Sequence, residues 1–326
     1  MILAGDIGGT KTLLALCEVR DGARVHIAFE RRFDNAAHRR FDEVLARFLD
    51  DAQTGHGARV PIGCAGLSVA GPVEGGRCRL TNLEWEIDGA ALSARLGLGA
   101  VAVLNDFAAT ATGIDALDPG DLATLQPGRA VAGAPRVVLG AGTGLGVAHL
   151  FWDGSGYRVV PGEGGHAGFA PVDAEQAALW ASIHATKGRV EIEDVLSGPG
   201  LERIHAFFAE GGGAAGLPIR AADVAANALA GDYASQRALD LFCAAYGALA
   251  GDLALGVLAR GGVYVAGGIA PKILPRLAAV GFLAAFNAKG RFAEVARLMP
   301  VHVVTNERLP LLGAALAAAG HRPFGG

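Results

Sequence analysis

One short pattern occurs twice in this chain, and it limits the fold more than any other feature. Ile2-Leu3-Ala4 runs into Gly5-Asp6-Ile7-Gly8-Gly9-Thr10-Lys11-Thr12 and out through Leu13-Leu14-Ala15-Leu16. Val137-Val138-Leu139 likewise runs into Gly140-Ala141-Gly142-Thr143-Gly144-Leu145-Gly146 and out through Val147-Ala148-His149-Leu150. An apolar run, a glycine-rich turn and a second apolar run read as strand, turn, strand. Two such units predict two similarly built halves.

The segments between them fit an α/β class. Arg40 to Ala52 predicts an amphipathic helix, with Phe41, Val44, Leu45, Phe48, Leu49 and Ala52 on one 3.6-residue face. Gly66 to Ala70 and Val101 to Leu104 predict buried strands, and the alternation of strand with helix is α/β. From about Ala221 the chain turns helical and Ala-rich, with Gly231-Asp232 dividing two helices and Gly261-Gly262 expected to close the second. Val263 to Ala266 predicts a further buried strand ending in Gly267-Gly268, and Leu311 to Ala319 a helix apolar all round that must pack inside or at a lobe junction. No low-complexity linker divides the halves. The expectation is two α/β lobes sharing a cleft, one from 1–112 with about 306–326, the other from 113–305.

Composition narrows the function classes. In 326 residues, 52% are hydrophobic and 18% charged, the reverse of the balance a disordered chain needs. A mean hydropathy of +0.36 raises the question of a membrane span. The nearest candidate, Val137 to Trp152, carries four glycines, Thr143 and His149, which suit a turn between strands better than a lipid-facing helix. The first residues lack the features of a signal peptide, so a cytoplasmic protein with no membrane partner is expected. Cys17, Cys64, Cys78 and Cys243 have no metal or disulfide spacing. A net charge of -4 provides no basic stripe for nucleic acid, so the expected ligand is small.

Several residues carry candidate chemistry. Glycines allow positive φ and let backbone N–H groups converge on an anion, so Gly8, Gly9 and Thr10 suit phosphate, with Asp6 beside them to hold Mg²⁺ through water. The loop is not a Walker A sequence, because Thr10 stands where its second glycine belongs. The competing view is an ordinary hairpin turn with Asp6 capping its own backbone. The second turn fails the dinucleotide pattern, since the count from Gly140 lands on Leu145 and a strand follows. Gly142, Thr143 and Gly144 then serve either as phosphate donors or as a structural turn, and the likeness of the two turns favours the first.

Asn105-Asp106 follows a buried strand directly, and in α/β sheets ligands bind at the C-terminal strand ends. Asp106 can take the proton of a sugar hydroxyl while the Asn105 amide binds another; alternatively Asp106 N-caps the helix that starts near Phe107. Glu163 and His166, separated by two glycines, present a carboxylate and an imidazole suited to sugar hydroxyls, against the plainer view of a surface histidine. Glu193, ahead of Val195-Leu196-Ser197-Gly198-Pro199-Gly200, reads by itself equally as a residue serving a helix dipole. Gly267 and Gly268, with Pro271 in the next helix start, suit a nucleotide at a helix N-terminus or tight strand–helix packing.

Taken in order, these motifs resemble the bacterial glucokinase family of the actin, hexokinase and heat-shock chaperone superfamily, nearly end to end. They are Gly5 to Thr10, Thr81-Asn82 with Trp85, Leu104 to Phe107, Gly140 to Gly146 continuing to His149, Gly162 to His166 with Phe169-Ala170-Pro171, Leu196 to Gly200, and Ala266 to Ile269. The resemblance implies a two-lobed actin-like, ribonuclease H-like ATPase fold with a central cleft. It implies ATP-dependent phosphorylation of glucose to glucose 6-phosphate, with Asn105, Asp106, Glu163, His166 and Glu193 binding glucose and Asp106 as base. It further implies that Asp6, Gly8, Gly9, Thr10, Gly142, Thr143 and Gly144 face the ATP phosphates and Mg²⁺, with Gly267 and Gly268 near adenosine, in a homodimer. Lys11-Thr12 stands where this branch more often has Asn-Ala, and Ala167-Gly168 replaces a more usual Val-Asp. Lys11 is similar to the related repressors and zinc-containing sugar kinases, but their Cys-rich zinc loop is missing here, which selects the zinc-free branch. The alternatives are a kinase for another hexose, a sugar-sensing regulator, which would carry a helix-turn-helix segment ahead of the first turn, and an actin-like or chaperone ATPase.

Overall fold

The computed structural model describes residues 1–56, 61–80, 83–211 and 219–320, so the Thr81-Asn82 motif lies outside the described residues. The chain divides into two compact units, 1–120 with 158–160 and 306–326, and 121–157 with 161–305.

The first unit grows from the first glycine hairpin. β1 (Ile2–Ile7) turns at Gly8 to Thr10 into β2 (Lys11–Arg20), which pairs onward with β3 (Arg24–Asp34). The predicted amphipathic helix is α1 (Phe41–His56), and its Phe41, Val44, Leu45, Phe48 and Ala52 are buried in one core with Leu3, Leu14, Leu67 and Trp85. β4 (Cys64–Val69) follows, then the short pair β5 (Arg77–Arg79) and β6 (Glu86–Asp88). Asp88 caps α2 (Gly89–Leu96) by accepting from the Ala90 and Ala91 amides, and β7 (Val101–Asn105) leads into α3 (Asp106–Thr112). The sheet order is β3-β2-β1-β4-β7, with β1, β4 and β7 parallel.

The second unit repeats that plan. β8 (Leu122–Gln126) precedes β9 (Arg136–Ala141), which turns through the second glycine hairpin into β10 (Leu145–Trp152) and on to β11 (Tyr157–Gly162). The helices α4 (Ala174–Lys187), α5 (Gly198–Gly211), α6 (Ala221–Leu229) and α7 (Tyr233–Val257) come next. β12 (Gly262–Ala266), α8 (Leu274–Leu277), α9 (Val280–Asn287), α10 (Ala293–Arg297) and β13 (Val301–Val304) complete it. The order β11-β10-β9-β12-β13-β8 matches the first sheet once β8 is set aside. The doubled sequence pattern thus reports a doubled sheet plan, three antiparallel strands followed by two parallel to the first.

Two expectations about α7 need correction. Its closing residue is Leu258, in the left-handed region at φ 51, while Gly261 donates to the Pro135 carbonyl at 3.0 Å and leads into β12. It is also α7, and not Val137 to Trp152, that is long and apolar enough to cross a membrane. Of its most apolar window 67% is buried inside the protein, with Phe242 and Tyr246 in the core, which is the pattern of a core helix. The last helix, α11 (Leu309–Ala318), returns to the first unit. Its Leu311 and Ala315 pack on Ile2, Ala4, Ala15 and Cys17, and Arg308 before it pairs through both guanidinium arms with Glu30 of β3. A helix apolar all round needs such cover on most sides.

Candidate active site

In the first unit, the parallel register puts Asp6 beside Ser68 and Ser68 beside Leu104, so Asp6 and Asn105-Asp106 share the C-terminal edge of one sheet. Asp6 accepts from the buried Ser68 hydroxyl at 3.0 Å. Burial pushes its carboxyl up to about 6; the Ser68 bond pulls it back, and the negative charge of Asp106 adds to the rise. The positive charge of Arg32 opposes the rise but is the smallest of these effects, so the loss of water prevails.

The hairpin beside Asp6 is held from behind by Asn35, which sequence analysis did not single out. Gly8 N–H closes the turn onto the Lys11 carbonyl at 3.0 Å, and the Gly8 carbonyl accepts from Asn35 Nδ2 at 2.8 Å. Asn35 N–H donates to the Thr10 carbonyl at 3.0 Å, and Asn35 Oδ1 accepts from the buried Thr12 hydroxyl at 2.7 Å. Asn35 is 0% exposed. Its only sequence signal was its place just past β3, where the pairing of Lys11 with Asp34 brings it against the turn.

At the β7–α3 junction the cap is Asn105, whose Oδ1 accepts from Phe107 N–H at 2.9 Å and Ala108 N–H at 3.3 Å. Its Nδ2 donates to the Gly71 carbonyl at 3.2 Å. Asp106 is the first helical residue, exposed, with Oδ1 accepting from Phe107 N–H at 2.8 Å. The cap position considered for Asp106 therefore belongs to its neighbour.

The second unit gathers the remaining candidates. Gly142 N–H closes its turn onto the Gly144 carbonyl at 2.8 Å, and the Gly142 carbonyl accepts from Gly198 N–H at 2.8 Å. Glu193 reaches this hairpin too, with Oε2 accepting from Leu145 N–H at 2.7 Å. Ser197 explains part of the Leu196 to Gly200 motif: its hydroxyl donates to the Glu193 carbonyl at 2.8 Å and accepts from Gly200 N–H at 3.0 Å, joining the Glu193 segment to α5. Glu163, with a side chain 91% exposed, precedes a 3-10 turn from Gly164 to His166. His166 Nδ1 lies 3.0 Å from Glu191 Oε2, and its Nε2 lies 3.9 Å from Glu163 Oε2. The bond to Glu191 raises the imidazole above its usual range, and His166 lowers Glu191 in turn.

Gly267 follows β12 at φ +83, and a side chain there would come within 2.5 Å of the Ala141 carbonyl at the start of the second hairpin. Only glycine fits both conditions. The expected helix start beyond Gly268 is a four-residue 3-10 turn from Ala270 to Ile273, followed by the four residues of α8. The packing side of the earlier alternatives therefore has a concrete contact at Gly267. Besides Asn35, sequence analysis passed over Ser68 and Glu191, which lie in no motif and act on residues distant in sequence.

The chain is similar to known proteins over nearly its whole length. The glucokinase family model matches residues 3–321. A glucokinase of a Nostoc species is 38% identical over 344 aligned positions, covering 98% of this chain and 99% of that protein. A glucokinase of Tolumonas auensis is 37% identical over 314 positions, covering 96% and 95%. A crystal structure of glucokinase from an Antarctic psychrotroph superposes with a TM-score of 0.88 at 32% identity, covering 98% of each chain. These likenesses favour neither another hexose nor a regulator.

Proposed function

This chain belongs to the glucokinase family, with the actin-like sugar-kinase fold, and phosphorylates glucose with ATP; we propose that Asp106 is the base of that transfer. The observation that carries the assignment is the division of labour at the β7–α3 junction, where Asn105 caps the helix and Asp106 stands exposed beside the edge that holds Asp6. Asp106 accepts the proton of the C6 hydroxyl as that oxygen bonds to the γ-phosphorus and the bond to the ADP oxygen breaks. Asn105, Glu163, His166 and Glu193 bind the other sugar hydroxyls.

The phosphates of ATP meet the hairpins. With the Gly8 and Gly142 amides engaged in closing their own turns, the donors that remain for phosphate are those of Gly9 and Thr10 in one loop and Thr143 and Gly144 in the other. Gly8 and Gly142 contribute the close approach, and Gly267 and Gly268 lie toward adenosine. Asp6 suits Mg²⁺ held through water, because the desolvation of its carboxyl outweighs the charge of Arg32 and a bound cation would offset it, and one carboxylate plus phosphate oxygens is a common Mg²⁺ setting. Mg²⁺ bound with ATP would neutralise charge on the phosphoryl oxygens. Residues 1–112 with about 306–326 form the small lobe in this proposal and 113–305 the large one. A cytoplasmic homodimer completes it.

The test is Asp106→Ala, read by ADP release with and without glucose. Turnover should fall by roughly 10²- to 10⁴-fold, about 3 to 5 kcal/mol in the barrier, with the circular dichroism spectrum unchanged. Near-parental turnover in the variant removes Asp106 from the chemistry.

A further inference from the structure

His166 has one ring nitrogen committed to a carboxylate. Glu191 is an acceptor only, so whether the ring is neutral or charged, the nitrogen facing it carries the proton. In water a neutral imidazole favours the opposite tautomer, with the proton on Nε2. The neighbouring carboxylate reverses that preference and turns Nε2 into an acceptor whenever the ring is neutral.

The pair is built into the chain on both sides. Gly168 bridges to Glu191, Ile192 N–H donates to the Ala167 carbonyl at 2.9 Å, and Phe169 N–H donates to the Val190 carbonyl at 3.0 Å. These bonds hold the residues after His166 alongside those around Glu191. Arg189 secures the carboxylate from the far side, with Nε 3.3 Å from Glu191 Oε1, and donates from Nη2 to the His166 carbonyl at 2.9 Å. Glu191 also caps the 3-10 turn that carries Glu193, so one short segment orients two of the sugar-binding candidates.

We propose that Glu191 is a positioning residue for sugar recognition, which holds His166 with Nδ1 protonated so that Nε2 accepts a hydrogen bond from a glucose hydroxyl. This rests on the assignment of His166 to the sugar site. The charged groups facing the ring are Glu163, Glu191 and Glu193, with Arg189 on the far side of Glu191. Together the three carboxylates raise the imidazole, so the neutral acceptor form grows in as pH rises through its raised value. Glucose affinity should follow the same titration.

The experiment combines ring-nitrogen NMR of 15N-histidine-labelled protein, the His166 signal assigned with His166→Asn, and steady-state kinetics. Wild-type protein above the titration should show His166 with the proton on Nδ1. Glu191→Ala should move it toward Nε2 and raise KM for glucose about tenfold, with kcat and KM for ATP changed less than about twofold. Glu191→Gln keeps an acceptor oxygen without the charge. It should preserve the tautomer, lower the imidazole pKa and restore most of the glucose affinity. A wild-type ring protonated on Nε2, or a Glu191→Ala ring with unchanged tautomer, overturns the proposal at Glu191. A tautomer change with unaltered KM for glucose overturns it at His166. Failure of the kinase assignment is a separate result, seen as wild-type ADP release that ignores glucose, and the tautomer still decides the role of Glu191.

Discussion

Removing Asn35 is the most informative way to ask what holds the first hairpin. Asn35→Ala leaves the half-buried Gly8 carbonyl and the buried Thr12 hydroxyl without their Asn35 partner, because Asn35 bonds them at 2.8 and 2.7 Å. A buried orphan costs about 1 to 3 kcal/mol and a half-buried one less, because water reaches it, so the variant should lose about 1 to 5 kcal/mol of stability. Thr12→Val leaves only Asn35 Oδ1 short of a donor, a loss of about 1 to 3 kcal/mol. In the double variant the Thr12–Asn35 pair is gone from both sides, and only the Gly8 carbonyl stays unpartnered. Replacing both members of a pair with apolar groups is close to neutral, so the double variant should be more stable than the sum of the singles predicts, by about 2 kcal/mol within a usual coupling range of about 0.5 to 3.

Equilibrium urea unfolding of the four proteins measures that coupling, followed by a signal from the first unit such as the buried Trp85. A coupling within about 0.5 kcal/mol of zero is what unrelated sites give, and it would refute the clamp. The functional consequence is separable. If the clamp sets the phosphate loop, Asn35→Ala should raise KM for ATP about tenfold per 1.4 kcal/mol of lost binding while KM for glucose holds.

The second hairpin gives a parallel test, since a methyl at Gly144 would stand 2.5 Å from Glu193 Oε2. Gly144→Ala should break the Leu145–Glu193 bond and lower kcat/KM by roughly 10- to 100-fold, and unaltered kinetics would remove Glu193 from the support of that loop. Stability should also depend on the half-buried His149 and His302, both lowered from 6.5 by burial. A histidine lowered in the fold contributes stability that is complete above 6.5 and lost as pH falls below it, so the two rings should make the urea midpoint drop as pH falls through 6.5. His149→Gln with His302→Gln should flatten that fall. His166, raised by Glu191, and Asp6, raised by burial to about 6, act with the opposite sign and remain in the variant, so a slope as steep as the parent's would count against the two buried rings.

Much of the fold was legible because its signals are periodic and local. The buried positions of α1 were readable from spacing alone, and the repeat of strand, glycine turn and strand gave the shared sheet plan. What escaped were features decided by distant contacts. α7 ends at a left-handed leucine because Gly261 is drawn to Pro135 and committed to β12, and no local propensity marks Leu258 as a stop. The helix start expected after Gly268 became two four-residue turns for the same kind of reason, with Ile269 N–H donating back to the Ala141 carbonyl at 3.2 Å.

The candidate site divides along the same physical line. Many residues expected to touch a ligand stand out in sequence because glycines lie beside them, as at Asp6, Glu163 and the two hairpins, whereas Asn105 and Asp106 stand out by following a buried strand. Those that hold the ligand-facing residues in place need no such neighbours: Ser68, Asn35 and Glu191 lie in ordinary strand or loop sequence and act across 62, 27 and 25 residues of chain. Thr12 illustrates the consequence. By resemblance it is a departure from a more usual alanine, which looks neutral; in the fold it is the hydroxyl that satisfies a fully buried Asn35. A substitution beside a phosphate loop can therefore be judged only with the partner that the β2–β3 register brings to it, and the same holds for Glu191 beside His166.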